Sequence, residues 1–115
     1  MSQLTLNLLQ GAVSFKFSPE SARELKQHIA ELMQNLKAIA STKTPGSSRP
    51  QPKAPMEYRH AGEVFLEIFC NPNIYPSPFA AKVLITVRDE RIRLTSEAEL
   101  TRTIEDIERY LEEVA

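Results

Sequence analysis

Leu4, Leu6 and Leu8 stand on one side of the first segment while Thr5 and Asn7 stand on the other, the period of two expected of a strand with one buried face. Gln10-Gly11 follows, and glycine accepts the positive φ that a tight hairpin demands. Val13, Phe15 and Phe17 then alternate with Ser14 and Lys16, so the first unit reads as a β-hairpin. Ser18-Pro19-Glu20 opens a helix: serine caps a free amide, proline suits the first helical position, and glutamate suits the positive end of the dipole. Leu25, Ile29, Leu32, Leu36 and Ile39 recur at spacings of four and three, with Met33 and Ala40 widening the stripe of one long amphipathic helix.

From Ser41 to Glu57 the periodicity stops. Pro45, Gly46, Pro50, Pro52 and Pro55 lie among serines and threonines, with no large apolar residue before Met56, so 41–57 is expected to be a flexible, polyproline-like connection. Arg49 and Pro52-Lys53-Ala54-Pro55 match a PxxP ligand, a pattern that Pro-rich linkers carry by chance. Val64, Leu66, Ile68 and Cys70 make the inward face of a third strand, with Phe65, Glu67 and Phe69 outward. Asn71 to Phe79 is a loop stiffened by Pro72, Pro76 and Pro78 and carrying Tyr75 and Phe79, either as anchors to the core or as a rigid recognition tip. A fourth strand runs from Lys82 to Arg88 with Val83, Ile85 and Val87 inward, Asp89-Glu90 turns the chain, and a fifth carries Ile92 and Leu94 inward. Ser96 to Glu99 reads as a capping box ahead of a final helix with Leu100, Ile104, Ile107, Leu111 and Val114 on one stripe.

The pattern predicts a single α+β domain over 1–115: a mainly antiparallel sheet of about five strands with two long amphipathic helices on one face, in the order ββα-βββα. Both ends repeat the plan hairpin, capped turn, helix, which fits either a duplicated ββα unit or the limited menu of small α+β folds. Helix packing on the sheet is favoured over coiled-coil pairing, because each hairpin's apolar face needs a cover.

Composition narrows the function without defining it. At 115 residues, 42% hydrophobic and 25% charged, the chain is long enough to build a core unaided. The single cysteine excludes an internal disulfide framework and fits a reducing cytoplasm; with two histidines it falls short of a classical structural zinc site. No apolar run approaches the roughly 20 residues of a membrane span, no basic-then-apolar leader opens the chain, and no membrane role is expected. Catalytic constellations are thin. His28 lies near Glu24 and Glu31 on a helix surface, His60 follows the Pro-rich segment, and Cys70 falls on an inward strand face where a small buried hydrophobe is the ordinary role. Scattered glycines at 11, 46 and 62 build no phosphate loop, and the paired acids Asp89-Glu90, Glu105-Asp106 and Glu112-Glu113 read as solvated. The expectation is a chain without catalytic residues, cofactor or metal.

The outward sheet face is the informative surface. In this register it presents Lys16, Phe65, Phe69, Lys82, Leu84, Arg88, Arg91 and Arg93. Aromatics and arginine are the types enriched at the centres of protein interfaces; the same mixture suits single-stranded nucleic acid, whose bases stack on rings while cations follow phosphates. The formal net charge of −1 disfavours nucleic acid as a partner. It is unevenly spread, since the part from Ser96 onward holds seven acids against Arg102 and Arg109. The sequence therefore predicts a small non-enzymatic interaction protein, binding a protein partner or a second copy through Phe65, Phe69, Arg88, Arg91 and Arg93, with Tyr75 and Phe79 on the adjoining loop. Single-stranded nucleic-acid binding through the same face is the alternative.

Overall fold

The computed structural model describes residues 2–41 and 52–114. Strands β1 (Gln3–Asn7) and β2 (Ala12–Lys16) form an antiparallel hairpin, followed by helix α1 (Pro19–Ser41). Then come β3 (Met56–His60), β4 (Phe65–Cys70), β5 (Lys82–Arg88), β6 (Arg93–Glu99) and helix α2 (Leu100–Val114). The result is an α+β fold with two antiparallel sheets among the described residues, the two-stranded hairpin and a four-stranded meander in the order β3-β4-β5-β6.

Local chemistry accounts for most of these elements. Gly11 turns the first hairpin with φ +83°, and Leu8 N–H donates to the Gly11 carbonyl at 2.9 Å. Ser18 caps α1, its Oγ accepting from Ser21 N–H at 3.1 Å, with Pro19 at the first helical position. α1 buries Leu25, Ile29, Leu32, Leu36 and Ile39, the stripe expected from the spacing. These join Leu4, Leu6, Phe15 and Phe17 of the hairpin unit and the inward side chains of β4 and β5 in the hydrophobic core, at a gain of about 1.5–3 kcal/mol for each fully buried large side chain. α2 lies antiparallel to α1: Ile104 and Ile107 share a groove with Ile29 and Met33, while Tyr110 Oη, near the other end of α2, donates to the Phe17 carbonyl just before α1 begins.

The structure corrects the expected layout in five places. Among the described residues there are six strands rather than about five, and the first hairpin forms its own sheet. One backbone bond, Leu9 N–H to the Glu97 carbonyl at 3.0 Å, ties its turn to β6. The sixth strand is β3: Met56, Tyr58 and His60 do alternate, but the prolines upstream hide a short polar strand that is stable only as a neighbour of β4. The expected 41–57 connection is therefore bounded more tightly, since Ser41 closes α1 and Met56 and Glu57 belong to β3; residues 42–51 lie outside the described residues. Ile92 sits exposed in the β5–β6 turn instead of facing inward. Finally, Ser96 is no cap. It pairs with Ile85 in mid-strand, β6 runs to Glu99, and α2 starts directly because the Ala81 carbonyl takes the Leu100 N–H at 3.0 Å. The two ββα units accordingly differ, one hairpin isolated and capped by serine, the other embedded in a meander and running into its helix without a turn.

Asp106 is a further correction. It lies 2% exposed rather than solvated, accepting from Asn7 N–H at 2.7 Å and from Asn7 Nδ2 at 2.9 Å, with Arg102 at 3.4 Å and Arg109 at 3.6 Å. This carboxylate fastens the end of β1 to α2. Its signal in the sequence is a position in phase with Thr103 and Tyr110 on the buried side of the helix, flanked by arginines three and four residues away.

Candidate interaction surface

The pleat of the four-stranded sheet sends Leu66, Ile68, Cys70, Val83, Ile85 and Val87 into the core, so the intervening residues share the opposite face. Pairing aligns them in rows across the strands. The first row is Phe65, Arg88 and Arg93. The middle row is Arg59, Glu67, Thr86 and Thr95. The third is Glu57, Phe69, Leu84 and Glu97.

Within the first row the Arg88 guanidinium lies 4.2 Å from the centre of the Phe65 ring, a cation–π contact that leaves both groups only partly covered. In the middle row Arg59 Nε donates to Glu67 at 2.7 Å, and the Thr86 and Thr95 hydroxyls meet at 3.2 Å. In the third row Phe69 is half-buried and Leu84 is 41% exposed, a large aliphatic side chain in the middle of an open sheet. The β5–β6 turn is drawn tight by Asp89, whose carboxylate accepts from Arg91 N–H at 2.8 Å and Ile92 N–H at 2.9 Å. These amides, that of Ile92 foremost, hold the Asp89 carboxyl below its usual range. The turn places Arg91 at the rim beside Arg88 and Arg93.

The structure thus brings together Phe65, Phe69, Arg88 and Arg93, with Arg91 at their edge. Lys16 is not part of this face, because it belongs to the separate hairpin. Tyr75 and Phe79 stand at the other end of the sheet, in the β4–β5 connection, which folds through 3-10 turns at Pro72–Ile74 and Pro78–Ala80 and packs beside the helices. They also part from one another. Tyr75 packs against the core and burial raises its phenol, whereas Phe79 is 86% exposed between the buried Pro78 and Ala81. The loop is anchored by Tyr75, by the buried Pro72 and Pro78, and by Asn73, whose side chain accepts from Lys53 N–H at 2.8 Å and donates to the Lys53 carbonyl at 2.7 Å.

The groups with chemistry of their own are dispersed. His28 meets the Tyr58 ring edge-on at 5.4 Å in a depression of about 280 Å³ shared with Glu24, Glu57 and Arg59. Tyr58 is pushed up to about 12 by burial and by Glu24. His60 packs edge-on against Phe17 at 5.0 Å. Cys70 is buried, and burial pushes its thiol up to about 11, the opposite of what a nucleophile requires. Among the described residues no three His, Cys, Asp or Glu side chains converge as metal ligands, and no helix is long and apolar enough to cross a membrane. Comparison of the chain with protein-family models, curated proteins and solved structures finds no match.

Proposed function

We propose that this chain is a small non-enzymatic interaction protein, an adaptor, assembly or regulatory factor, that binds a protein partner through the outer face of its four-stranded sheet. The observation that carries this reading is the strip Phe65–Arg88, Phe69 and Leu84. Its apolar and aromatic side chains lie on the two central strands, with charged residues between and around them, and no described element covers it. An exposed leucine beside two half-buried aromatic rings and a stacked arginine supports this reading, because those residue types are enriched at interface centres. Single-stranded nucleic acid is the second reading, favoured by Arg88 stacked on Phe65 with Arg93 beside it. Against it, Glu57, Glu67 and Glu97 lie on the same face and repel phosphate.

The test is Leu84→Lys, a change at an exposed position that leaves the core intact. The reading expects association, followed by light scattering and by quantitative capture from cell extract, to fall at least tenfold with no loss of thermal stability. Binding by the variant equal to that of the native chain would refute it. Light scattering with a short mixed-sequence single strand at low and high salt completes the test. A salt-sensitive complex would put the nucleic-acid reading in its place.

A further inference from the structure

We infer that the occupant of this face is a second copy of the same chain, related by a two-fold axis lying between the two sheets and running across the strands. The inference rests on the reading of the face as a protein-binding surface and adds the identity and register of what binds. Its basis is the charge of the rows. The first carries two arginines, the middle one arginine and one glutamate already joined to each other, and the third two glutamates. Summed over these three rows, charge reverses sign about the middle one, and on β6 the reversal is direct, Arg93 at one end and Glu97 at the other. A two-fold axis lays the same patch on itself in reverse, so such a reversal brings opposite charges together.

An axis over the middle row keeps every strand above its own counterpart and exchanges the first row for the third. Arg93 then faces Glu97 of the second copy, Phe65 faces Phe69, and Arg88 faces Leu84 with Glu97 on the diagonal, each contact occurring twice. Aligned sheets pack within about 30° of each other, an offset that long arginine side chains span. The arrangement also resolves a conflict inside the single chain. Arg88 and Arg93 are direct cross-strand partners, a like-charge pair that destabilises a sheet. Neither they nor Glu97 form an ion pair among the described residues. A carboxylate arriving from a second copy supplies what both arginines lack.

The size of the face sets the strength. Four strands about 4.8 Å apart and five residues rising about 3.4 Å each make a footprint of roughly 300–400 Å², under the roughly 800 Å² per partner of a standard interface. The association is therefore expected to be weak and concentration-dependent.

Sedimentation velocity over a hundredfold range of concentration, at low and moderate salt, tests it with Arg93→Glu, Glu97→Arg and the double variant. The native chain is expected to shift from monomer toward dimer as concentration rises. Each single variant meets its own copy with like charges and is expected to weaken at least tenfold. The double variant, and an equimolar mixture of the two single variants, restore opposite charges at both contacts and are expected to recover the dimer. Both positions are exposed, and Arg93→Glu removes the Arg88–Arg93 repulsion, so circular dichroism should show native folding throughout. A native chain that stays monomeric at every concentration overturns the inference, and so does a mixture that fails to associate. If the native chain is monomeric yet Leu84→Lys still abolishes capture of another protein, only the second copy falls. If a dimer forms and ignores Leu84→Lys as well as both charge reversals, the reading of the face falls too.

Discussion

Replacing Asp106 by alanine tests how the separate hairpin is held to the rest of the fold. The carboxylate takes both the backbone N–H and the side-chain amide of Asn7, at 2.7 and 2.9 Å, and is itself buried. Hydrogen bonds to a charged group contribute about 1.5–3 kcal/mol each, and an orphaned buried N–H costs about 1–3 kcal/mol. Arg102 and Arg109 stand farther off, with side chains 45% and 53% exposed, so each adds no more than about 1 kcal/mol. The expected loss is about 3–5 kcal/mol, close to that of breaking a buried pair from one side and a large part of the roughly 5–15 kcal/mol that stabilises a domain. Urea unfolding measures it, as a lowered midpoint at unchanged slope. Asp106→Asn keeps an acceptor for the Asn7 N–H and is expected to lose about half as much. Combined with Asn7→Ala it closes a double-mutant cycle, in which the clamp predicts a coupling of at least about 1 kcal/mol. Amide exchange at Asn7 should accelerate in parallel. A loss under about 1 kcal/mol, or unchanged exchange at Asn7, would refute the clamp and leave side-chain packing alone to hold the hairpin.

Two further outcomes follow from positions where the local environment is plain. Gly11→Ala meets no neighbouring atom but must hold φ +83°, so urea unfolding should show a loss of about 1–2 kcal/mol from backbone strain alone; a neutral result would mean the turn relaxes. Cys70 should ignore a thiol reagent in the native state at pH 8 and react fully in urea. Its neutral thiol is favoured in the fold, so the unfolded chain gives up its proton first as pH rises; the stability this thiol contributes should fall from near pH 8.5, its share of the loss complete above about 11. A Cys70→Ser variant lacks that part of the alkaline loss, and the Tyr58 phenol, raised to about 12, extends the decline beyond it.

Much of this architecture is written in local pattern. The Leu4–Leu6 alternation, the Gly11 turn, the Ser18-Pro19 start and stripe of α1 and the Lys82–Arg88 strand all appear where the spacing puts them, because each depends on interactions within a few residues, whereas the buried face of α2 turns toward Thr103, Asp106 and Tyr110. The outward set Phe65, Phe69, Arg88 and Arg93 was legible for the same reason: a pleat of period two assigns faces before any partner strand is known.

What tertiary structure decided are matters of who pairs with whom. Ser96 carries every local mark of a cap, yet it lies in mid-strand because pairing with β5 and the bond from Leu100 to the Ala81 carbonyl satisfy the helix start from a distance. Glu105-Asp106 looks like two solvated acids until β1 arrives from about a hundred residues away and covers one of them. β3 exists because β4 offers it an edge, and Phe79 stays exposed beside Tyr75 because buried prolines fix the loop's path. The sequence by itself determined the first hairpin, the start and buried stripe of α1, and the faces of β4 and β5. The sharing of strands between two sheets, the burial of Asp106 and the charge order of the open face were set by long-range pairing, whose energy no local window contains.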